Sequence, residues 1–306
     1  MESSEFSKIS SFYLTGFFLV LSAGLLWSFG PVVVRYMVQA HHYVFQYLFY
    51  RGLSIATILI CFLIYREGFG FYKNFLRVGL PGLIGGCALA TAMTGFIFSI
   101  TLTSAAVTLF MLAAIPFIAA IIAYFALREK LRTMTLISMI IAFVGVLIMI
   151  YNDSLSGSIL GALIGFFSAT GFAVYTVTVR WRPETPKFTT VVLAGIFCSI
   201  FSFIMMGASL DSLRMPAINT YLSLLHGCIV ASGLILFSFG AKYLPAAELA
   251  LLTLMEVVGG VVWVWLPVFG INEVPSMTVI IGGSFITFAV IIHGFGAKRK
   301  REPVTI

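Results

Sequence analysis

Ten apolar runs, each long enough to cross a lipid bilayer, follow one another with only short polar connections between them. Their approximate limits are 13–35, 45–65, 77–100, 104–126, 133–151, 158–180, 188–209, 218–241, 246–267 and 277–296. A bilayer core is spanned by about 17–25 helical residues. Inside it every backbone N–H and C=O must be paired within the chain, which leaves helices or a closed barrel. Barrel strands alternate apolar and polar residues over segments of about ten, and these runs are apolar throughout. The expected fold class is therefore all-α and integral to the membrane, with ten transmembrane helices. Composition agrees: 60% hydrophobic, 9% charged and a mean hydropathy of +1.09 leave too little charge to cover a soluble protein.

The net charge of +7 does not point to nucleic acid, because the basic residues fall in short clusters between apolar runs. On the side of the N-terminus lie Lys8, then Arg66, Lys73 and Arg77, then Arg128, Lys130 and Arg132, then Arg180, Arg182 and Lys187, then Lys242 and the Lys298–Arg301 tail. The other side keeps Arg35 and Arg214. Such a bias places both termini in the cytoplasm and the chain in the cell's inner or plasma membrane. Arg51, about two turns into the second run, could pair with an anionic group or with a lipid phosphate at the outer interface, and snorkelling to that interface is the expected behaviour. The first run is too long for a signal core, so no cleavable leader is expected. Cys61, Cys87, Cys198 and Cys228 lie within apolar runs without CxxC spacing and read as small buried apolar residues.

The third and fourth runs repeat in the eighth and ninth at a constant offset of 141: Gly86-Cys87 meets Gly227-Cys228, Phe96 meets Phe237, and Ala105-Ala106 meets Ala246-Ala247. Ile115-Pro116 then meets Glu256-Val257, and at an offset of 144 Glu129 meets Glu273. A duplication of five helices splits the chain into residues 1–151 and 152–306. An odd number of spans makes the second copy enter the membrane from the opposite side. Inverted repeats of this kind are an architecture of secondary transporters, which bind substrate near the midplane between the copies.

Several segments resemble the drug/metabolite transporter superfamily, specifically its ten-helix members built from two EamA domains. They are Gly24–Met37 (GLLWSFGPVVVRYM), the Tyr50-Arg51 step, the fourth run from Ala113 with its mid-helix Pro116 and following Glu129, and Met255–Trp265 (MEVVGGVVWVW) before Glu273-Val274-Pro275-Ser276. The tenth run, IIGGSFITFAVIIHG, belongs to the same pattern. One departure is Val257, where the family's second domain often has Pro after the ninth-helix Glu. The resemblance implies a central cavity lined by the first, third, fourth, sixth, eighth and ninth helices. It also implies carriage of small metabolites, often amino acids and commonly outward.

Glu256 is the acid placed deepest in an apolar run. A charge at that depth costs about 2.5–3.5 kcal/mol or more, so it points to an ammonium ligand, an exchangeable proton, or a hydrogen bond that locks neighbouring helices. On an ideal helix Thr253, Glu256, Gly260 and Trp263 share one face. The first run offers Trp27 and Ser28 before Gly30-Pro31, the sixth offers Ser168, Phe172 and Tyr175, and Thr91 and Phe110 complete the candidate binding set with Glu256 and Trp263. Thr91 equally suits a bond to its own backbone. His226 reads as a packing histidine or a proton relay. Glu248 is expected to be an interfacial acid near Lys242, and Glu129 and Glu273 to cap helix ends.

No Walker A, HExxH or GxSxG signature and no ligand cluster for a metal is present, so neither enzyme activity nor a cofactor is expected beyond proton coupling at Glu256. The sequence points to a secondary active transporter of small amino acids or related zwitterionic or cationic solutes, working by alternating access in the export direction. A multidrug or organic-cation exporter, a sugar-phosphate or nucleotide-sugar exchanger, and a non-transporting intramembrane scaffold are the alternatives. Partners are a small-molecule substrate and membrane lipids; monomer and homodimer are not distinguished.

Overall fold

The computed structural model describes residues 2–39, 41–102, 108, 111–150, 159–182, 184–209, 212–271 and 274–296. In chain order the α-helices are α1 (Glu2–Trp27), α2 (Gly30–Arg35), α3 (Val44–Glu67), α4 (Lys73–Arg77), α5 (Gly79–Leu102), α6 (Ile115–Leu127) and α7 (Thr133–Ile150). They continue with α8 (Ile159–Trp181), α9 (Lys187–Ser209), α10 (Ala217–Gly240), α11 (Ala246–Thr253), α12 (Met255–Trp265) and α13 (Met277–Gly296). Among the described residues there is no strand. Seven segments are long and apolar enough to cross a membrane, and three shorter apolar helices, at Ile115–Leu127, Thr133–Ile148 and Met277–His293, accompany them. Each apolar run of the sequence contains a helix, and most boundaries fall within a few residues of expectation.

The outside of the bundle is apolar: Phe18, Phe125, Phe167 and Phe203 are all exposed. Water would penalise such a surface, whereas lipid chains match it. Three of the four cysteines also lie on this surface. Cys61, Cys87 and Cys228 are exposed and only Cys198 is buried, which corrects the expectation that all four are core residues. All four are free thiols.

The two halves of the chain do not form separate bundles. The largest helix interfaces all join one half to the other: α5 with α8, α3 with α9, α7 with α13, α3 with α10 and α1 with α10. The α5–α9 interface equals that of α1 with α10, and smaller ones pair α6 with α8, α6 with α11 and α1 with α11. Small residues allow the closest crossings, because lipid supplies no hydrophobic drive and packing must. A Cβ on Gly52 would stand 2.7 Å from the Gly195 carbonyl oxygen, and a Cβ on Gly195 would stand 2.7 Å from the Gly52 carbonyl oxygen. Gly171 meets the Ala88 carbonyl oxygen at 2.6 Å in the same sense, and Gly145 meets that of Gly282 at 2.6 Å.

Two of the apolar runs are broken where the sequence predicts unbroken helices, and a third carries a turn. The first breaks at Ser28-Phe29, between α1 and α2, where Pro31 lacks the N–H that would continue the ladder. The fourth turns at Ala113-Ala114, directly before α6 and Pro116. The ninth breaks at Leu254 between α11 and α12. There Leu254 N–H bonds the Leu251 carbonyl at 3.2 Å and Val257 N–H bonds that of Leu254 at 3.1 Å. Val257 in place of Pro does not prevent this break.

Replacing Gly52 or Gly195 by Val is expected to destabilise the protein by about 1–3 kcal/mol. Gly207→Val is the control, because a Cβ there meets nothing within 4 Å. Thermal unfolding of the purified proteins in one detergent checks the difference.

Candidate functional site

The broken helices surround a cavity of about 100 Å³. Trp27, Gly30 and Pro31 reach it from the first break, Leu112 and Ile115 from the fourth run, and Thr253, Leu254 and Glu256 from the ninth. Phe96 and Met93 of α5, Ser168 and Phe172 of α8, His226 and Val230 of α10 and Arg51 of α3 complete most of the wall. A backbone break in the membrane interior is tolerated where it borders a cavity and not where it faces lipid.

Glu256 sits in the first turn of α12, which places its carboxylate at the positive end of that half-helix. It is half-buried and makes no hydrogen bond or ion pair among the described residues. The surrounding chain holds this position tightly. A Cβ on Gly259 would lie 2.6 Å from Ser28 Cβ, and one on Gly260 would lie 3.2 Å from Pro31 Cγ. Trp263 Nε1 donates to Ser28 Oγ at 2.8 Å, Ser28 Oγ donates to the Leu25 carbonyl at 2.5 Å, and Trp263 stacks on Phe29 at 4.6 Å. Ser28 and Trp263 thus fasten α12 to the first break and do not line the cavity.

Of the other candidates, Trp27 and Phe172 line it and pack edge to face at 5.8 Å, with Trp27 Nε1 donating to the Val230 carbonyl at 3.2 Å. Tyr175 does not; it is fully buried and stacked on Phe237 at 5.8 Å. Thr91 is exposed, and its hydroxyl donates to the Cys87 carbonyl at 2.9 Å, the backbone alternative of the sequence reading. Phe110 lies outside the described residues.

Arg51 departs most from expectation. Instead of snorkelling outward it is 5% exposed and borders the same cavity as Glu256. Its Nε and Nη1 are enclosed without a hydrogen-bond partner. The guanidinium carbon lies 5.9 Å from the Tyr47 ring centre, and the Tyr47 hydroxyl is hydrogen-bonded to His226 Nδ1. The signal that could have found it is Gly52 and Ala56, a small-residue pair one turn apart that marks the packed face of α3, while Leu53, Thr57 and Cys61 face outward.

Two further polar clusters lie towards the Lys- and Arg-rich end. Glu248, eight residues before Glu256 or roughly 12 Å along an ideal helix, is 1% exposed and not interfacial. Its partner is not Lys242. Tyr13 donates to Oε2 at 2.9 Å, His293 Nε2 lies 3.3 Å from the same oxygen, and Thr135 donates to Oε1 at 3.4 Å with Arg132 Nη1 at 3.6 Å. The second cluster turns on Arg128, whose left-handed backbone (φ 57) reverses the chain after α6 and delivers Glu129. Glu129 Oε2 accepts the Ala246 N–H at 3.0 Å and Oε1 accepts from Arg180 Nε at 2.7 Å. Arg180 Nη1 also donates to the carbonyls of Ala241, at 3.0 Å, and Leu244. Glu129 is a cap, and the helix it caps is α11 of the other half.

Residues 14–151 match the EamA-like transporter family, within the drug/metabolite transporter superfamily. The chain is thus an integral membrane protein. No curated protein matches it in sequence. A crystal structure titled only as that of a protein has the same fold, with a TM-score of 0.72 at 17% identity over 95% of this chain and 99% of that one.

Glu248→Ala is expected to cost about 3–5 kcal/mol, because it strands buried partners. Glu256→Gln, which removes no hydrogen bond, is expected to stay within about 1 kcal/mol. Denaturation of both variants in detergent, followed by circular dichroism, tests the contrast.

Proposed function

We propose that the protein is a secondary active transporter that carries a small cationic or zwitterionic metabolite, amino acids first, by alternating access. The observation that carries this is Glu256: a carboxylate without a hydrogen bond or ion pair among the described residues, in the first turn of a half-helix, beside a cavity that interrupted helices border. An ammonium group or a proton would supply the missing partner. The cavity is small beside the roughly 300–1,000 Å³ of drug-sized pockets, which favours small solutes over the multidrug reading, although its aromatic walls would also suit an organic cation.

Ten spans in two inverted five-helix repeats, residues 1–151 and 152–306, fit this role. The helix pairings support them. Exchanging each span for its counterpart five places on turns the α5–α8 contact into α10–α1, α3–α10 into α9–α5, and α6–α8 into the contact of α11 with α1. The interruptions at Ala113-Ala114 and Leu254 also correspond at the offset of 141 seen in the sequence. Lys and Arg distribution favours cytoplasmic termini in the inner or plasma membrane, and the resemblance favours export. On this reading the Glu248 and Glu129 clusters close the cytoplasmic end, and both must open for cargo to pass there.

Glu256→Gln is expected to reduce amino-acid counterflow in proteoliposomes at least tenfold with the protein still folded. Proton coupling at Glu256 predicts wild-type counterflow that changes between pH 5.5 and 8 while Glu256→Gln stays flat; wild-type transport that is flat across that interval would refute coupling.

A further inference from the structure

We infer that Arg51 is a second recognition point of the same cavity, holding a carboxylate at the end of the cargo opposite to the one read by Glu256. The inference rests on the carrier reading and narrows it from cations and zwitterions to zwitterions. A guanidinium buried to 5% exposure is expensive unless its donors are met, and Nε and Nη1 are not. The contact with Tyr47, 5.9 Å from the guanidinium carbon, supplies some compensation but accepts no hydrogen bond in the guanidinium plane. Among the described residues the ion pairs of the acids run to Glu129 and Glu248, and none reaches Arg51. Arg51 and Glu256 therefore line one space, opposite in sign and within electrostatic reach of each other but joined by no hydrogen bond or ion pair among the described residues.

A planar guanidinium matches a carboxylate with two parallel hydrogen bonds, and an isolated ammonium would be repelled by it. A cargo with an ammonium at one end and a carboxylate at the other satisfies both groups and brings no net charge into the membrane interior. His226, hydrogen-bonded to Tyr47 and bordering the same cavity, fixes the ring beneath the guanidinium and so positions Arg51. The apolar wall formed by Phe96, Phe172 and Met93 is left for the side chain of the solute.

The test uses the purified full chain, with thermal shift in detergent and counterflow in proteoliposomes. The probes are L-leucine, L-methionine and L-phenylalanine, each beside its decarboxylated amine and its N-acetyl derivative, together with acetate, phosphate and glucose 6-phosphate. The expected result is that at least one amino acid stabilises and exchanges at a concentration tenfold or more below that needed for its amine or its N-acetyl form. Arg51→Lys and Arg51→Gln should remove that advantage over the amine while leaving the response to the amine in place. An amine acting at the same concentration as its amino acid overturns the role of Arg51 and leaves the carrier reading intact. Acetate, phosphate or glucose 6-phosphate acting below every amino acid overturns it too, since Arg51 would then hold a free anion or a phosphoryl cargo. If no probe of any class binds or exchanges, both proposals fail. Should both Arg51 variants unfold, the wild-type comparison of amino acid, amine and N-acetyl form decides alone.

Discussion

Hydrocarbon offers a backbone no hydrogen bonds, and the placement of every helix interruption follows from that. An unbroken helix satisfies itself; a turn at Ser28-Phe29, Ala113-Ala114 or Leu254 leaves peptide groups that need shelter. Residues at or beside all three interruptions line the same cavity. The cavity and the breaks are thus two aspects of one solution: the space shelters irregular backbone, and the irregular backbone gives the space its polar rim. The 3₁₀-like bonds around Leu254 interrupt the α-helical ladder and start α12 there, with Glu256 in its first turn.

The two acids of the ninth run have opposite surroundings although two turns separate them. Glu248 is met by four side chains, from α1, from α7 and the loop before it, and from α13, and holds them together. Glu256 bonds to none among the described residues. In a low-dielectric interior a fully partnered carboxylate is costly to disturb, whereas an unpartnered one is available to whatever enters. Because the halves interleave, neither acid belongs to a single half: Glu248 bridges α1 and α7 to α13, and Glu256 faces Arg51 of α3 across the cavity.

The spans were legible because a bilayer imposes a length and a polarity that sequence displays directly. Glu256 was legible for the same reason, as the one acid far from either end of a run. What the sequence hid was direction. In a helix apolar on every side, periodicity does not separate the face toward lipid from the face toward the bundle. Tyr175 and Trp263 therefore read as walls although one is sealed in packing and the other fastens α12 to Ser28. Arg51 read as a snorkelling residue because its depth was visible and its azimuth was not. Thr91 shows the same limit from the other side, with a polar group turned outward and returned to its own backbone. Breaks were half legible: Pro31 and Pro116 announce two, and Leu254 has no such marker.

At the crossing of α3 and α9, Gly52 and Gly195 bring backbone against backbone, and Ser199 Oγ beside them donates to the Phe49 carbonyl at 3.0 Å. Packing this close leaves no room for a Cβ, and the serine bond fastens the two helices where they cross. On the carrier reading, α3 and α9 then move as one body, and the bonds that must release lie in the carboxylate clusters at the Lys- and Arg-rich end.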